Sequence, residues 1–348
     1  MQKNKAKTGV LLVNVGTPDS TATGDVRKYL KEFLMDKRVI DIPFISRWFL
    51  INFIVAPFRA PKSAKEYRKL WTDRGSPLLF HAEDLRDKLQ IRLDDDRFQV
   101  EIAMRYQSPS IEKGLHALKK ANVKKIVVLP LFPQYASAST GTVIDKVMEI
   151  TKGWHIIPSI VFINDFVDHP LFLESWAEIG KKMMEKSEYD TFLFSYHGLP
   201  ERQILKGSCK GYCQLNEKCC SIKSAKNQFC YRAQSFYTTR LISERLGLPK
   251  EKVKTSFQSR LLKDPWIKPY TDEVINELAI QGRKKVLVFS PAFVADCLET
   301  TVEVGEQYKE QFEALGGERW DLAPSLNSND TWVECVKSMI LSNSVPPE

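Results

Sequence analysis

No stretch of the sequence is long or apolar enough to cross a bilayer, which sets aside a helical membrane-spanning protein. The first twenty residues hold only a short apolar run, Val10 to Val13, broken at Asn14. This reads as a first β-strand and not as an export signal. No charge of one sign dominates either: 51 Lys and Arg stand against 43 Asp and Glu, a mild excess of +8. Such a balance favours an anionic partner, whether nucleic acid, acidic lipid or a carboxylate-bearing small molecule, without choosing among them. Histidine is scarce, five in 348 residues. Apolar residues are not: 43% hydrophobic against 27% charged excludes a disordered or fibrous chain. The length suits two ordinary domains with a large core. Seven cysteines without an export signal point to a reducing, cytoplasmic compartment, yet five of them fall between Cys209 and Cys230.

Short apolar, β-rich runs at 10–15, 125–129, 154–163, 191–196 and 285–290 alternate with helix-period segments such as 25–35 and 271–281. That alternation predicts an α/β fold, with strands buried on both faces of parallel sheets. Helix starts are read at Asp165 and at Thr271-Asp272. A weak internal repeat adds to this. LLVNVG at 11–16 resembles LFSYHG at 193–198, RYQS at 105–108 resembles SFQS at 256–259, and KKIVVL at 124–129 resembles KKVLVF at 284–289. Three landmarks in the same order predict two similar α/β domains, residues 1–165 and 166–348, meeting at a cleft. Ligands of such sheets bind beyond the carboxyl ends of the strands, which directs attention to His197 and to the segment after Phe289.

His197 follows a strongly apolar strand and precedes Gly198-Leu199-Pro200, a turn that stops the strand and leaves the imidazole at its tip. A neutral ring there can bind a divalent metal or accept a proton; the plainer reading is a histidine that caps a loop. A helix starting near Ala295 would space Asp296, Glu299 and Glu303 at i, i+3 and i+7 on one face. Such carboxylates either form an acidic helical start or line a cation path, and their setting beside Phe293 and Val294 favours the path. The segment 41–62 is aromatic and apolar, with cations at Arg47, Arg59 and Lys62. It fits a buried helix, or a lip that rests in a membrane interface or covers a flat apolar ligand. The cysteines run Cys209-x3-Cys213-x5-Cys219-Cys220-x9-Cys230. Four sulfurs of such a set can hold tetrahedral zinc or a [2Fe–2S] cluster, although the spacing matches neither the usual zinc-ribbon pairs nor the common ferredoxin runs. Which four ligate stays open; Cys297 and Cys335 read as buried apolar residues.

Together these residues resemble the ferrochelatases, which insert ferrous iron into a porphyrin at the end of haem synthesis. The resemblance runs along nearly the whole chain: LLVNVGTP at 11–18, YLKEFLMDKRVID at 29–41, GSPL at 75–78, MRYQSP at 104–109, LPLFPQYASASTG at 129–141, SYHGLPERQ at 195–203, FQS and DPW within 257–266, and FVADCLET at 293–300. It implies two Rossmann-like domains of a chelatase whose cleft holds protoporphyrin IX. His197 and Glu299 match the pair that binds metal and accepts protons, with Asp296 and Glu303 along the iron path. Val15, Tyr106, Trp266 and Phe293 match pocket positions, and Arg59, Lys62, Arg68 and Arg105 are candidates for the porphyrin carboxylates. The chain departs from the family pattern twice. Cys297 stands where many members carry histidine, which implies that the reaction does not need that imidazole. The usual GDPY segment is replaced by the cysteine-rich stretch ending at 230–234. By analogy with members that carry an internal [2Fe–2S] cluster, Cys213, Cys219, Cys220 and Cys230 are the first choice of ligands, with Cys209 in reserve. The cluster's role would be structural or sensory. The implied partners are porphyrin and ferrous iron, and the inner-membrane surface through 42–62; monomer and homodimer stay open. Two competing readings are a cobalt or nickel chelatase acting on another tetrapyrrole, and a nucleic-acid-binding protein with a zinc knuckle at 209–230. The second leaves Asp296, Glu299 and Glu303 unexplained.

Overall fold

The computed structural model describes residues 7–93, 96–209, 211–260 and 264–344. Two four-stranded parallel sheets organise them. The first holds β1 (Thr8–Gly16), β2 (Phe98–Tyr106), β3 (Lys125–Pro130) and β4 (Ser159–Phe162), in the order β2-β1-β3-β4. The second holds β5 (Thr191–His197), β6 (Val253–Gln258), β7 (Lys285–Phe289) and β8 (Arg319–Leu322), in the order β6-β5-β7-β8. The central strands are buried almost throughout, as helix-covered parallel strands must be. β4 and β8 lie at the sheet edges and are correspondingly short and half-exposed.

The chain falls into two compact units. One comprises the chain up to Phe132, Ser137–Asn164 and the chain from Trp332 onward; the other comprises Pro133–Ala136 and Asp165–Thr331. The final helix, Asp330–Ser344, therefore buries Trp332, Val333, Val336 and Ile340 with the first unit, not the second. Each unit has an aliphatic core beside its sheet, around Leu11, Leu115 and Val128 in the first and Leu193, Ile275 and Val288 in the second.

The repeat is real at the level of pairing, with one shift. Leu12 pairs with Leu129 as Phe194 pairs with Phe289, so the first and third landmarks superpose. Asn14, however, pairs with Met104 as Tyr196 pairs with Phe257. Arg105 is thus the counterpart of Gln258, two residues away from the alignment drawn on sequence. The helix expected at Asp165 begins instead at Pro170. Pro170 is pre-shaped for a first helical position, and His169 Nδ1 accepts the Leu171 N–H at 3.3 Å. Among the described residues, no helix is long and apolar enough to cross a membrane.

Candidate active site and cysteine centre

His197 is the last residue of β5. Beyond it Gly198 donates its N–H to Gln258 O at 2.8 Å. A Cβ on Gly198 would lie 2.7 Å from that oxygen and 3.1 Å from the Trp266 ring, so only glycine lets the turn close here. The imidazole Nδ1 meets Gly198 O at 2.6 Å. A carbonyl only accepts, so Nδ1 carries the proton and Nε2 keeps its lone pair. Trp266 and Phe293 flank the ring, each 6.4 Å away between centroids. Below, buried Ser195 donates to Gln258 Oε1 at 2.6 Å, and Gln258 Nε2 donates to Glu299 O at 3.1 Å. The strand bearing the histidine and the segment bearing the glutamate are thereby tied through one glutamine.

The acidic segment is a π-helix, Leu298–Gln307, a rare form that recurs at functional sites. Its wider turn keeps Glu299 and Glu303 (i, i+4) on one side. Asp296 precedes the helix. Its Oδ1 accepts Ser325 N at 3.0 Å and its Oδ2 accepts Asn327 Nδ2 at 2.8 Å, so this carboxylate pins a loop ahead of the helix that carries Glu299 and Glu303. Glu303 is half-buried, with the Ser259 hydroxyl donating to Oε2 and Tyr308 OH to Oε1 at 3.2 Å. Burial raises its carboxyl above the ordinary range and the charge of Glu299 adds to this, while Ser259, His197 and Tyr308 pull the other way. Glu303 thus feels the charges of both His197 and Glu299. Cys297 caps the π-helix, its N–H donating to Thr300 Oγ1 at 2.9 Å. Burial pushes its thiol far up, and the adjacent Glu299 carboxylate, to which it is hydrogen-bonded, does the same.

Other expected residues are placed differently. Tyr106 is fully buried, its hydroxyl donating to Asp36 Oδ2 at 2.9 Å, so it presents no surface to grip a ring. Arg105 is spent on the same carboxylate at 2.7 Å and on Thr142, and so does not take up a ligand's carboxylate. Val15, next to last in β1, is half-buried, its N–H bound to Asn14 Oδ1 at 2.8 Å. Arg59, Lys62 and Arg68 stand exposed on the helix Ala56–Leu70. In the segment before it, Phe44, Ile45, Trp48, Phe49, Phe53 and Ile54 are all exposed, whereas Arg47 is buried against the carbonyls of Ile40 and Ile42. Sequence reasoning missed Gln258, Ser259 and Tyr308 as supports; the FQS motif was the available signal for the first two.

In the cysteine stretch, Cys219 and Cys220 sulfurs lie 3.8 Å apart. Cys209 is exposed. Cys213 and Cys230 line the same cavity as Cys219, of about 110 Å³. Arg232 Nη1 donates to Cys220 Sγ at 3.0 Å, while Cys219 Sγ donates to Asn216 O at 3.3 Å. Among the described residues, no three His, Cys, Asp or Glu side chains converge as a closed metal-ligand set. The donor set nevertheless suits a thiolate centre in kind: Cys213, Cys219, Cys220 and Cys230 fall in one short stretch around this cavity, and a guanidinium stabilises negative sulfur at Cys220.

Two parallel-sheet units of one topology, one ending a strand in His197 beside two glutamates, define a chelatase-type α/β protein. Solved structures agree on the fold. SirB from Bacillus subtilis with Fe3+ superposes with a TM-score of 0.53 at 11% identity, covering 97% of this chain and 96% of that one. The chain belongs to the ferrochelatase family, whose sequence profile matches residues 7–344. It is 46% identical to the ferrochelatase of Legionella pneumophila (strain Lens), over 95% of this chain and 98% of that protein. It is 42% identical to that of Coxiella burnetii (strain Dugway 5J108-111), over 97% and 94%. Its reaction is therefore that of a lyase, the insertion of ferrous iron into a porphyrin that completes haem synthesis.

Proposed function

We propose that the chain metallates protoporphyrin IX at the end of β5, with His197 as the proton acceptor and Glu299 and Glu303 as the oxygen donors that guide the ferrous ion. The observation that carries this is the Gln258 bridge between the strand ending in His197 and the backbone of Glu299, with Trp266 and Phe293 beside the imidazole. Insertion requires two pyrrole N–H protons to leave, and Nε2 of His197 is the free lone pair. The hydrated ion must shed water, and carboxylate oxygens replace it. The macrocycle must bend so that its nitrogens reach the metal, and the aromatic walls supply binding energy for that strain.

Arg59, Lys62 and Arg68 are suited to the porphyrin carboxylates. The exposed aromatic lip followed by these cations is suited to an anionic membrane face, so the protein works in the cytoplasm at the inner-membrane surface. Cys213, Cys219, Cys220 and Cys230 hold a [2Fe–2S] cluster whose part is structural or sensory, since metal insertion transfers no electron. The test is an anaerobic assay of the purified protein with protoporphyrin IX and ferrous iron. Collapse of the four visible bands of the free base at a catalytic rate supports the reading; intact porphyrin binding without turnover points to another tetrapyrrole. The spectrum before substrate is added distinguishes a red-brown cluster from colourless zinc.

A further inference from the structure

Arg232 is 4% exposed, in the first turn of the helix Tyr231–Arg245 that follows Cys230. Among the described residues no carboxylate pairs with it. Its partners are neutral carbonyls and sulfur: Nη1 donates to Asn216 O at 2.9 Å and to Cys220 Sγ at 3.0 Å, while Nε and Nη2 donate to Lys268 O at 3.1 and 3.0 Å. The guanidinium also rests 4.7 Å from the Phe236 ring centroid. A permanently charged group in such a place needs a counter-charge. The cysteine sulfurs are the groups on hand to provide it. Four thiolates around a divalent ion, or around two ferric ions and two sulfides, leave a double negative charge on the centre.

The other arm of the guanidinium leads to the active site. Lys268 lies two residues beyond Trp266, and between them Ile267 donates its N–H to Leu199 O at 3.0 Å, next to Gly198. Tyr231, on the other side of Cys230's junction with the helix, donates its hydroxyl to His197 O at 2.8 Å. The residues just after Cys230 therefore reach both the histidine's backbone and the loop that carries its aromatic wall.

We propose that Arg232 is the counter-ion of the cysteine centre and a positioning residue that ties this centre to the Trp266 loop. The proposal rests on the thiolate metal centre put forward above. Charge holds the metal; the two-pronged fork onto Lys268 holds Trp266 in place. Removal of the charge then weakens the centre. Removal of the fork alone spares the centre but loosens the porphyrin wall.

The experiment compares purified full-length wild type, Arg232→Met and Arg232→Lys. It measures bound metal and sulfide per chain, and the dissociation constant for protoporphyrin IX by quenching of tryptophan fluorescence without added iron. Arg232→Met is expected to lose most of its metal, at least fivefold. Arg232→Lys, which keeps the charge but not the fork, is expected to keep metal within twofold of wild type and to bind porphyrin about fivefold more weakly. Equal metal content in Arg232→Met and wild type overturns the counter-ion role. Unchanged porphyrin affinity in a metal-replete Arg232→Lys overturns the link to Trp266, and that variant decides the matter if Arg232→Met does not fold. Wild type that binds neither metal nor sulfide undoes the cysteine centre itself, whatever the variants do.

Discussion

The strand ends of the two sheets are built alike and loaded differently. In each, a glycine stands at the end of the central strand and is crowded by a carbonyl of the neighbouring one. A Cβ on Gly16, whose φ is +118°, would lie 2.1 Å from Tyr106 O; one on Gly198 would lie 2.7 Å from Gln258 O. In each, a proline carbonyl then folds back onto the neighbouring strand, Pro109 O onto Met104 N and Pro269 O onto Phe257 N. Before the glycine, however, the first unit has Val15 and the second His197. Beyond the third strand, the first has a five-residue π turn of small residues, Ser137–Gly141, where the second has ten residues carrying Glu299 and Glu303. The first unit's own charges, Asp36 and Arg105, cancel each other in place. One scaffold thus serves twice, and in the proposed reading the chemistry is a handful of side chains set on one copy.

That contrast predicts where substitutions act on rate and where they act on stability. The largest effect is expected at His197. Its replacement by alanine removes the proton acceptor and lowers kcat by about 10³-fold, within the range for a positioned acid–base group. Steady-state kinetics under anaerobic conditions check this. Moving a histidine to Val15 in that background does not restore the rate, because the glutamates sit only on the second copy; recovery there would break the comparison.

Next comes Asp36→Ala in the first unit, which leaves Arg105 buried without its partner and costs about 3 kcal/mol. Urea unfolding reads that loss. Burial alone would raise the Asp36 carboxyl, but Thr142, the Arg38 N–H, Arg105 and Tyr106 together hold it below its ordinary 3.8. Its folded value being the lower one, its contribution is complete above 3.8 and drains away as pH falls through the folded value. The wild-type advantage over Asp36→Ala should accordingly shrink in strong acid. A third substitution, Glu299→Gln, is expected to lower kcat by about 10²-fold and leave porphyrin affinity within about twofold. Matching losses in kcat and affinity would assign Glu299 to the pocket wall and not to the metal.

Much of this was legible in the sequence for a definite reason. Strands buried on both faces announce themselves as apolar runs, and β1, β3, β5 and β7 are such strands. β2 reads FQVEIAMRY, with polar residues alternating among buried ones, and β6 and β8 carry Lys, Arg and Asp at the sheet margins; no apolar run marks them. His197 stood out because a rigid turn follows an apolar strand. The grouping of Asp296 with Glu299 and Glu303 assumed α-helical periodicity, which a π-helix does not keep. The direction of Tyr106 and Arg105 was hidden because their partner Asp36 lies about seventy positions away in the chain. Arg232 was invisible for the same reason, since its meaning comes from Cys220 and Lys268, which only the fold brings to it.

The smallest effect expected concerns the lip, where the first unit differs most from the second in surface chemistry. Phe44–Phe49 and Leu50–Val55 expose Phe49 at 56% and Phe53 at 54%, and the helix after them carries exposed Arg59, Lys62 and Arg68. An aromatic side chain moved from water into an apolar setting gains about 1.5–3 kcal/mol when fully buried, and insertion to the depth of an interface realises part of that. Phe53→Ser is therefore expected to weaken partition onto vesicles of mixed zwitterionic and anionic phospholipid by about tenfold. Because Phe53 is already exposed, the same change should leave the unfolding midpoint in urea unaltered. Added salt should weaken binding of both proteins by similar factors, since the cations are untouched. Sedimentation with vesicles reads all three. Equal partition of Phe53→Ser and wild type would remove the lip from the membrane.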